Sequence, residues 1–230
     1  MTIAVIIPTL NESSTIARTL TRTVSLGFDE IVVSDGGSTD PTIPMVQACC
    51  ARVPAVRLVT APTGRARQLN EGVKACQSDI LLFLHADTEL PPTAKTVIES
   101  TLKNPYYVGG RFDVRFDRPS RWGAVISWCM NQRSRLSGIA TGDQAIFVRR
   151  QVFEQMGGFP DIPLMEDIEF SRRLKRQGPV AALTDQVTTS FRRWEKNGPL
   201  RTILLMWTLR FLYWLGVSPA RLNNFYRAIR

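Results

Sequence analysis

Ile3-Ala4-Val5-Ile6-Ile7-Pro8-Thr9-Leu10-Asn11-Glu12 couples an unbroken apolar run to an abrupt polar end. The same form recurs where Glu30-Ile31-Val32-Val33-Ser34 meets Asp35-Gly36-Gly37-Ser38-Thr39-Asp40, and where Ile80-Leu81-Leu82-Phe83-Leu84 meets His85-Ala86-Asp87-Thr88-Glu89. Val56 to Val59 is a fourth short apolar run. Such nearly continuous runs predict strands buried on both faces, and the helical patterns near residues 14–25, 41–51 and 64–76 supply the cover. Strands alternating with helices make a Rossmann-like α/β half with a parallel sheet. Ligands of such sheets sit at the carboxyl ends of the strands, so three polar strand ends aim at one crevice.

Beyond a helix starting at Pro91-Pro92, Gly109 to Asp117 alternates apolar and charged residues, which predicts a half-exposed strand and a mixed central sheet. A helix near 121–136, a strand at Gln144–Val148 and helices near 150–156 and 165–177 follow, with Gly157-Gly158 as a break. No repeat and no linker divides the chain, so a single α/β domain over residues 1–194 with a helical extension over 195–230 is expected. With 44% apolar and 21% charged residues, wholesale disorder and fibrous architectures are excluded.

The formal charge of +9 is unevenly placed: residues 172–230 hold 12 Lys and Arg against 2 Asp and Glu, while the rest is near neutral. A basic end beside a neutral body points to an anionic partner. Leu200 to Val217 is the longest apolar stretch, but Arg201 and Arg210 interrupt it, and a charge at the bilayer centre costs about 2.5–3.5 kcal/mol. The stretch is therefore a helix packed in protein or lying in a membrane interface. Cys49, Cys50, Cys76 and Cys129 lack metal-ligand spacing, and the first residues lack the basic region of a signal peptide, so free thiols and a cytoplasmic protein are expected.

No G-x-G-x-x-G and no G-x-x-x-x-G-K-[ST] occurs, which removes the usual dinucleotide and P-loop readings. Asp35 at a strand end can accept hydrogen bonds from a base or ribose, or simply cap a tight turn with Gly36-Gly37. Asp87 is the best ligand for a hard divalent cation. Asp167, in Leu164-Met165-Glu166-Asp167, opens a helix and is a general-base candidate if that turn faces the crevice. Arg65 and Arg67 begin another helix, where free amides favour phosphate. Arg192-Arg193-Trp194 suits a diphosphate with a stacked sugar or base, or is a basic surface turn. His85, the only histidine, reads as a hydrogen-bonded structural residue.

Pro8-Thr9-Leu10-Asn11-Glu12, Asp35 to Asp40, Gly64-Arg65-Ala66, Ala86-Asp87, Glu166-Asp167 and Arg193-Trp194 together resemble, in order, the family-2 glycosyltransferases of GT-A fold, most of all a small bacterial single-domain subgroup. That resemblance implies inverting transfer of a hexose from a nucleotide diphosphate sugar to an acceptor hydroxyl, assisted by Mg²⁺ or Mn²⁺. It assigns donor binding to Pro8, Thr9, Asn11, Glu12, Asp35, Gly36 and Arg65, the metal to Asp87 and the base to Asp167. Arg193 and Trp194 would close over diphosphate and acceptor, and Gly142-Asp143-Gln144 matches a region lining the sugar pocket. Where the family often has a carboxylate two positions before the metal-binding Asp, this chain has His85.

The basic, Trp-rich end adds an expected peripheral membrane contact at the inner face and a lipid acceptor. The competing reading is a non-catalytic α/β module that binds anionic membrane or nucleic acid through this end. Nucleic acid is not expected, because acids clustered at the strand ends would repel a phosphate polymer.

Overall fold

The structure is a computed structural model describing residues 1–229; the side chains of Arg193, Asn197 and residues 227–229 lie outside the described set. The first half alternates β1 (Ile3–Thr9), α1 (Ile16–Ser25), β2 (Glu30–Asp35), α2 (Thr42–Cys50), β3 (Val56–Thr60), α3 (Arg65–Lys74) and β4 (Ile80–Phe83). The second half contains β5 (Thr88–Glu89), α4 (Ala94–Lys103), β6 (Gly109–Phe116), α5 (Arg121–Ser137), β7 (Phe147–Arg149), α6 (Arg150–Gln155), α7 (Glu166–Gln177) and β8 (Val180–Thr189). The tail forms α8 (Arg192–Asn197), α9 (Pro199–Trp214) and α10 (Pro219–Ile229), so the 194/195 boundary falls inside α8.

All eight strands form one sheet in the order β3-β2-β1-β4-β7-β6-β8-β5. The expected parallel half is β3-β2-β1-β4, and β7 turns the sheet mixed by pairing antiparallel to both β4 and β6. Strand β1 shows why its residues are apolar at every position. Ile3, Val5 and Ile7 pack with Ile16 and Leu20 of α1 and Val46 of α2, while Ala4 and Ile6 pack on the opposite face with Leu69 and Val73 of α3. Phe83, Phe153, Phe159 and Phe170 complete that second core, with Phe159 and Phe170 stacked at 4.1 Å.

Two sequence expectations are corrected. Strand β6 is not half-exposed: Arg111 and Asp113 are buried beneath α5, where Asp113 pairs with Arg111 and with Arg135 at 2.6 Å. Alternation marks a solvent face only when the charged side chains lack buried partners, and α5 supplies Arg135 along with Asn131, whose amide brackets Val114 through its N–H and carbonyl. The strand placed at 144–148 is a 3₁₀ turn over Gly142–Gln144 followed by β7. β8, the longest strand, pairs parallel to β6 along most of its length.

In the tail, Leu205, Met206, Leu209, Leu212 and Tyr213 of α9 pack with Leu164, Met165, Ile168 and Leu222. Leu200, Leu204, Trp207, Phe211 and Trp214, on the other side of the same helix, are each more than half exposed. No helix among the described residues is long and apolar enough to cross a membrane.

Candidate active site at the strand ends

Because β1 and β2 are parallel with Thr9 opposite Asp35, their carboxyl ends finish side by side. The Asp35 carboxylate accepts from the Gly37 and Ser38 amides at 2.9 and 2.7 Å and from the Ser38 and Thr9 hydroxyls at 2.5 and 3.0 Å. Its acceptor sites thus serve the turn, and a nucleoside contact would exchange one of these bonds. Asn11, in the left-handed region at φ 57°, laces the two loops together: its amide donates to Ser38 Oγ and its Oδ1 accepts from the Thr39 amide, both at 2.8 Å. Gln68, which sequence reasoning passed over, lies buried beneath them and donates to the carbonyls of Thr9 and Ser34 at 2.6 and 3.1 Å. A side chain at Gly36 would strike the Gln68 amide, which explains the glycine.

Past β4 the chain carries His85 and Asp87 into the same crevice. His85 Nδ1 lies 3.1 Å from Asp143 Oδ1, so the histidine is hydrogen-bonded as expected. Asp143 sits in the 3₁₀ turn between α5 and β7. The amide of Gly142 in that turn donates to Asp167 Oδ2 at 2.9 Å, and Asp167 Oδ1 accepts from the Ile168 amide at 2.8 Å. Asp167 is therefore half-buried at the start of α7 with its orientation fixed by two backbone donors.

Arg65, the first residue of α3, reaches across to Glu166 at 3.4 Å with its side chain about half exposed. Burial opposes its charge, but Glu166, Asp167, Asp143 and Asp87 together hold its pKa above the ordinary value. Burial raises Glu166, Asp167 raises it further, and Arg65 opposes both. Glu12 is raised by burial and then by Asp87, with Thr15, Arg192 and His85 acting the other way. Electrostatically, Glu12 is thus linked to Asp87 and His85, and Arg65 to Glu166, Asp167, Asp143 and Asp87.

The basic α8 segment is split. Arg192 donates to Ser14 Oγ at 3.1 Å, on the Glu12 side of the crevice. Arg193 is a candidate whose side chain lies outside the described residues. Trp194 packs edge-on to Phe116 of β6, 6.0 Å between ring centres, so its ring contact lies away from the acids. A groove of about 410 Å³ runs along the flank of α5 that carries Trp128, Asn131 and Gln132, and Arg115 and Phe116 of β6 and Gln186 of β8 line it rather than any of the candidate acids. Arg133, on the other flank, lies within the field of Asp167 and Asp143. Sequence reading missed it, as one arginine in an amphipathic helix carries no signal of its own.

Among the described residues no three carboxylate, imidazole or thiol side chains converge into a ready-made metal cage. A lone Asp87 still fits a hard divalent cation of the kind that takes one or two protein carboxylates and completes its shell with substrate phosphates and water.

The model of the family described as Glycosyl transferase family 2 matches residues 4–157. The chain belongs to glycosyltransferase family 2. It is 30% identical over 134 residues to glycosyltransferase AglJ of Haloferax volcanii, covering 56% of this chain and 43% of that one. It is 26% identical over 219 residues to the probable glycosyltransferase YdaM of Bacillus subtilis, covering 84% and 52%. The chain thus spans about half the length of the curated relatives it matches. The mannosyltransferase PcManGT of Pyrobaculum calidifontis, solved with GDP-Man and Mn²⁺, superposes with a TM-score of 0.65 at 21% identity over 82% of this chain and 56% of that one. TarS residues 1–349 of S. aureus with UDP-GlcNAc gives 0.60 at 17% identity over 83% and 58%. This family-2 glycosyltransferase has the GT-A fold, as its sequence motifs implied.

Proposed function

We propose that residues 1–194 form an inverting catalytic domain that moves a hexose from a nucleotide diphosphate sugar to an acceptor hydroxyl, with 195–230 as its extension. The observation that carries this reading is Asp167, held by two backbone donors at the opening of α7, next to Glu166, to which Arg65 reaches from the opening of α3. GDP-Man and UDP-GlcNAc in the structural neighbours support a nucleotide diphosphate sugar as donor. Arg65 and the free amides opening α3 would bind the donor phosphates. Pro8, Thr9, Asn11, Glu12, Asp35 and Gly36 shape the nucleoside side, and Asp143 the sugar side. Asp167 Oδ would take the proton of the acceptor hydroxyl as that oxygen attacks the anomeric carbon from the face opposite the leaving diphosphate, inverting its configuration. Mg²⁺ or Mn²⁺, held by Asp87, would neutralise charge on the leaving diphosphate.

The exposed stripe on α9 and the basic end support a peripheral membrane contact and a lipid acceptor. The thiols of Cys49, Cys50, Cys76 and Cys129 are all unpaired, which agrees with the cytoplasmic side. The deciding experiment is calorimetric titration of UDP and GDP with Mn²⁺ into wild type and Asp87→Ala. Metal-dependent affinity is expected in the first and its loss in the second at unchanged circular dichroism. Equal metal-dependent affinity in both would remove Asp87 from the site.

A further inference from the structure

Four of the five tryptophans stand exposed, and they lie on two helices, Trp207 and Trp214 on α9 and Trp122 and Trp128 on α5. An indole left in water forgoes the burial its large apolar body would gain, so a cluster of apolar groups around it marks a surface that something covers. At 100° per residue Trp122, Val125, Trp128, Cys129 and Leu136 of α5 fall within an arc of about 120° along about 21 Å of helix, and all five are exposed. Ile126, Ser127, Asn131 and Ser134 fill the other side and are buried. The apolar row of α5 therefore faces outward.

Charge says what covers it. From Arg118 to Ser137 there are four arginines and no Asp or Glu, and Arg118 and Arg121 are exposed beside the row. Arg115 and Arg118 also line the groove to which Trp128 contributes. Pro199 to Ile229, which carries the exposed row of α9, is likewise free of acids. A second copy of the chain would meet this face with the same arginines, like charge against like. Lipid phosphates would meet them with the opposite sign, while the indoles lie at the level of the head groups. The two rows also begin from neighbouring points. Arg118, four residues before Trp122, pairs with Glu195 of α8 at 2.8 Å, and α8 passes through Gly198 into α9.

We propose that the outward face of α5 is a second membrane-contacting surface, which lays its apolar row into the head-group layer of an anionic bilayer and gives the lipid phosphates to Arg115, Arg118 and Arg121. The inference extends the membrane contact proposed for α9 and uses a different helix. One interfacial helix leaves a bound protein free to roll about that helix. A second one fixes its tilt, and with it the attitude of the strand-end crevice to the lipid.

Cys129 gives the test a site of its own. In Cys49→Ala/Cys50→Ala, with Cys76 buried, Cys129 alone takes an environment-sensitive fluorophore. A matching variant with Cys129→Ser and Leu204→Cys added carries the probe on α9. The full chain is mixed with vesicles of equal parts phosphatidylglycerol and phosphatidylcholine, with and without nitroxide-labelled acyl chains. Both probes are expected to shift to the blue on binding and to be quenched by the nitroxide. A silent α5 probe beside a responsive α9 probe overturns this inference and leaves the α9 contact standing. Two silent probes overturn both, and a responsive α5 probe alone keeps this inference and removes the α9 contact. In the unlabelled chain Trp122→Ser/Trp128→Ser is expected to partition about tenfold or more weakly at unchanged circular dichroism, and wild-type partitioning would overturn the inference. So would an α5 probe that shifts without vesicles as the protein is concentrated, at dimer mass in analytical ultracentrifugation, since the row would then be an interface between copies.

Discussion

Gly142→Ala is expected to unseat the candidate base through His85. A Cβ on Gly142 would overlap Nε2 and Cε1 of the imidazole, a ring that is only 16% exposed and tied to Asp143. Gly142 is not among the residues of positive φ, so alanine meets no torsional penalty and the whole effect is steric. Overpacking of this kind costs about 1–3 kcal/mol. His85→Ala alone loses one hydrogen bond, about 0.5–1.5 kcal/mol. In the double variant the new methyl enters space the ring has left, so the combined cost should fall short of the sum by about 1–2 kcal/mol. Urea unfolding of the four proteins measures this coupling, and donor turnover provides a second readout. The Gly142 amide donates to Asp167, so turnover should drop in Gly142→Ala and partly recover in Gly142→Ala/His85→Ala. Costs that add within about 0.3 kcal/mol would refute the reasoning, since the ring would then not be the obstacle.

Asp167→Asn should keep nucleotide and metal binding while transfer falls by about 10²–10⁴-fold, and wild-type turnover in that variant would place the base elsewhere. Burial and Asp167 raise Glu166 above its usual 4.5, so the folded protein holds that proton more tightly than the unfolded chain and stability falls as pH rises above 4.5 through the raised value. Glu166→Gln should flatten the fall in Tm as pH rises above about 4.5 relative to wild type, and parallel Tm curves would contradict the assignment. Anionic liposomes should sediment the protein at low salt, less so at high salt, and Trp207→Ser/Trp214→Ser should weaken the salt-resistant part. A protein that stays in the supernatant at low salt would end the membrane reading.

The parallel half was legible because each of its strands is buried on two faces, so β1, β2 and β4 announce themselves as apolar runs with polar ends. The same runs placed Thr9, Asp35 and Asp87 at or just past the carboxyl ends of β1, β2 and β4, since a parallel sheet decides on which edge a strand ends. β6 misled because its Asp113 is paired with Arg111 of the same strand and with Arg135, a residue on a helix whose docking no local pattern encodes. β8 stayed hidden because its partner β6 lies about 70 positions earlier and its own sequence mixes polar and apolar residues. Gln68 was invisible for a related reason: it is one polar residue on a helix, and only the packing of α3 under two loops gives it carbonyls to bind.

The two sides of α9 together make a spacer of set thickness. Leu200, Leu204, Trp207, Phe211 and Trp214 recur at steps of four and three residues, so they stay on one side along about 21 Å of helix. The opposite side grips the first turn of α7, where Tyr213 donates to Glu169 Oε2 at 3.1 Å, two residues from Asp167. Any flat surface that meets the stripe is therefore held about one helix diameter, roughly 10 Å, from the turn carrying Asp167. An acceptor delivered from such a surface would meet Asp167 only if its reacting group protruded by that same distance, which would make α9 a selector of reach.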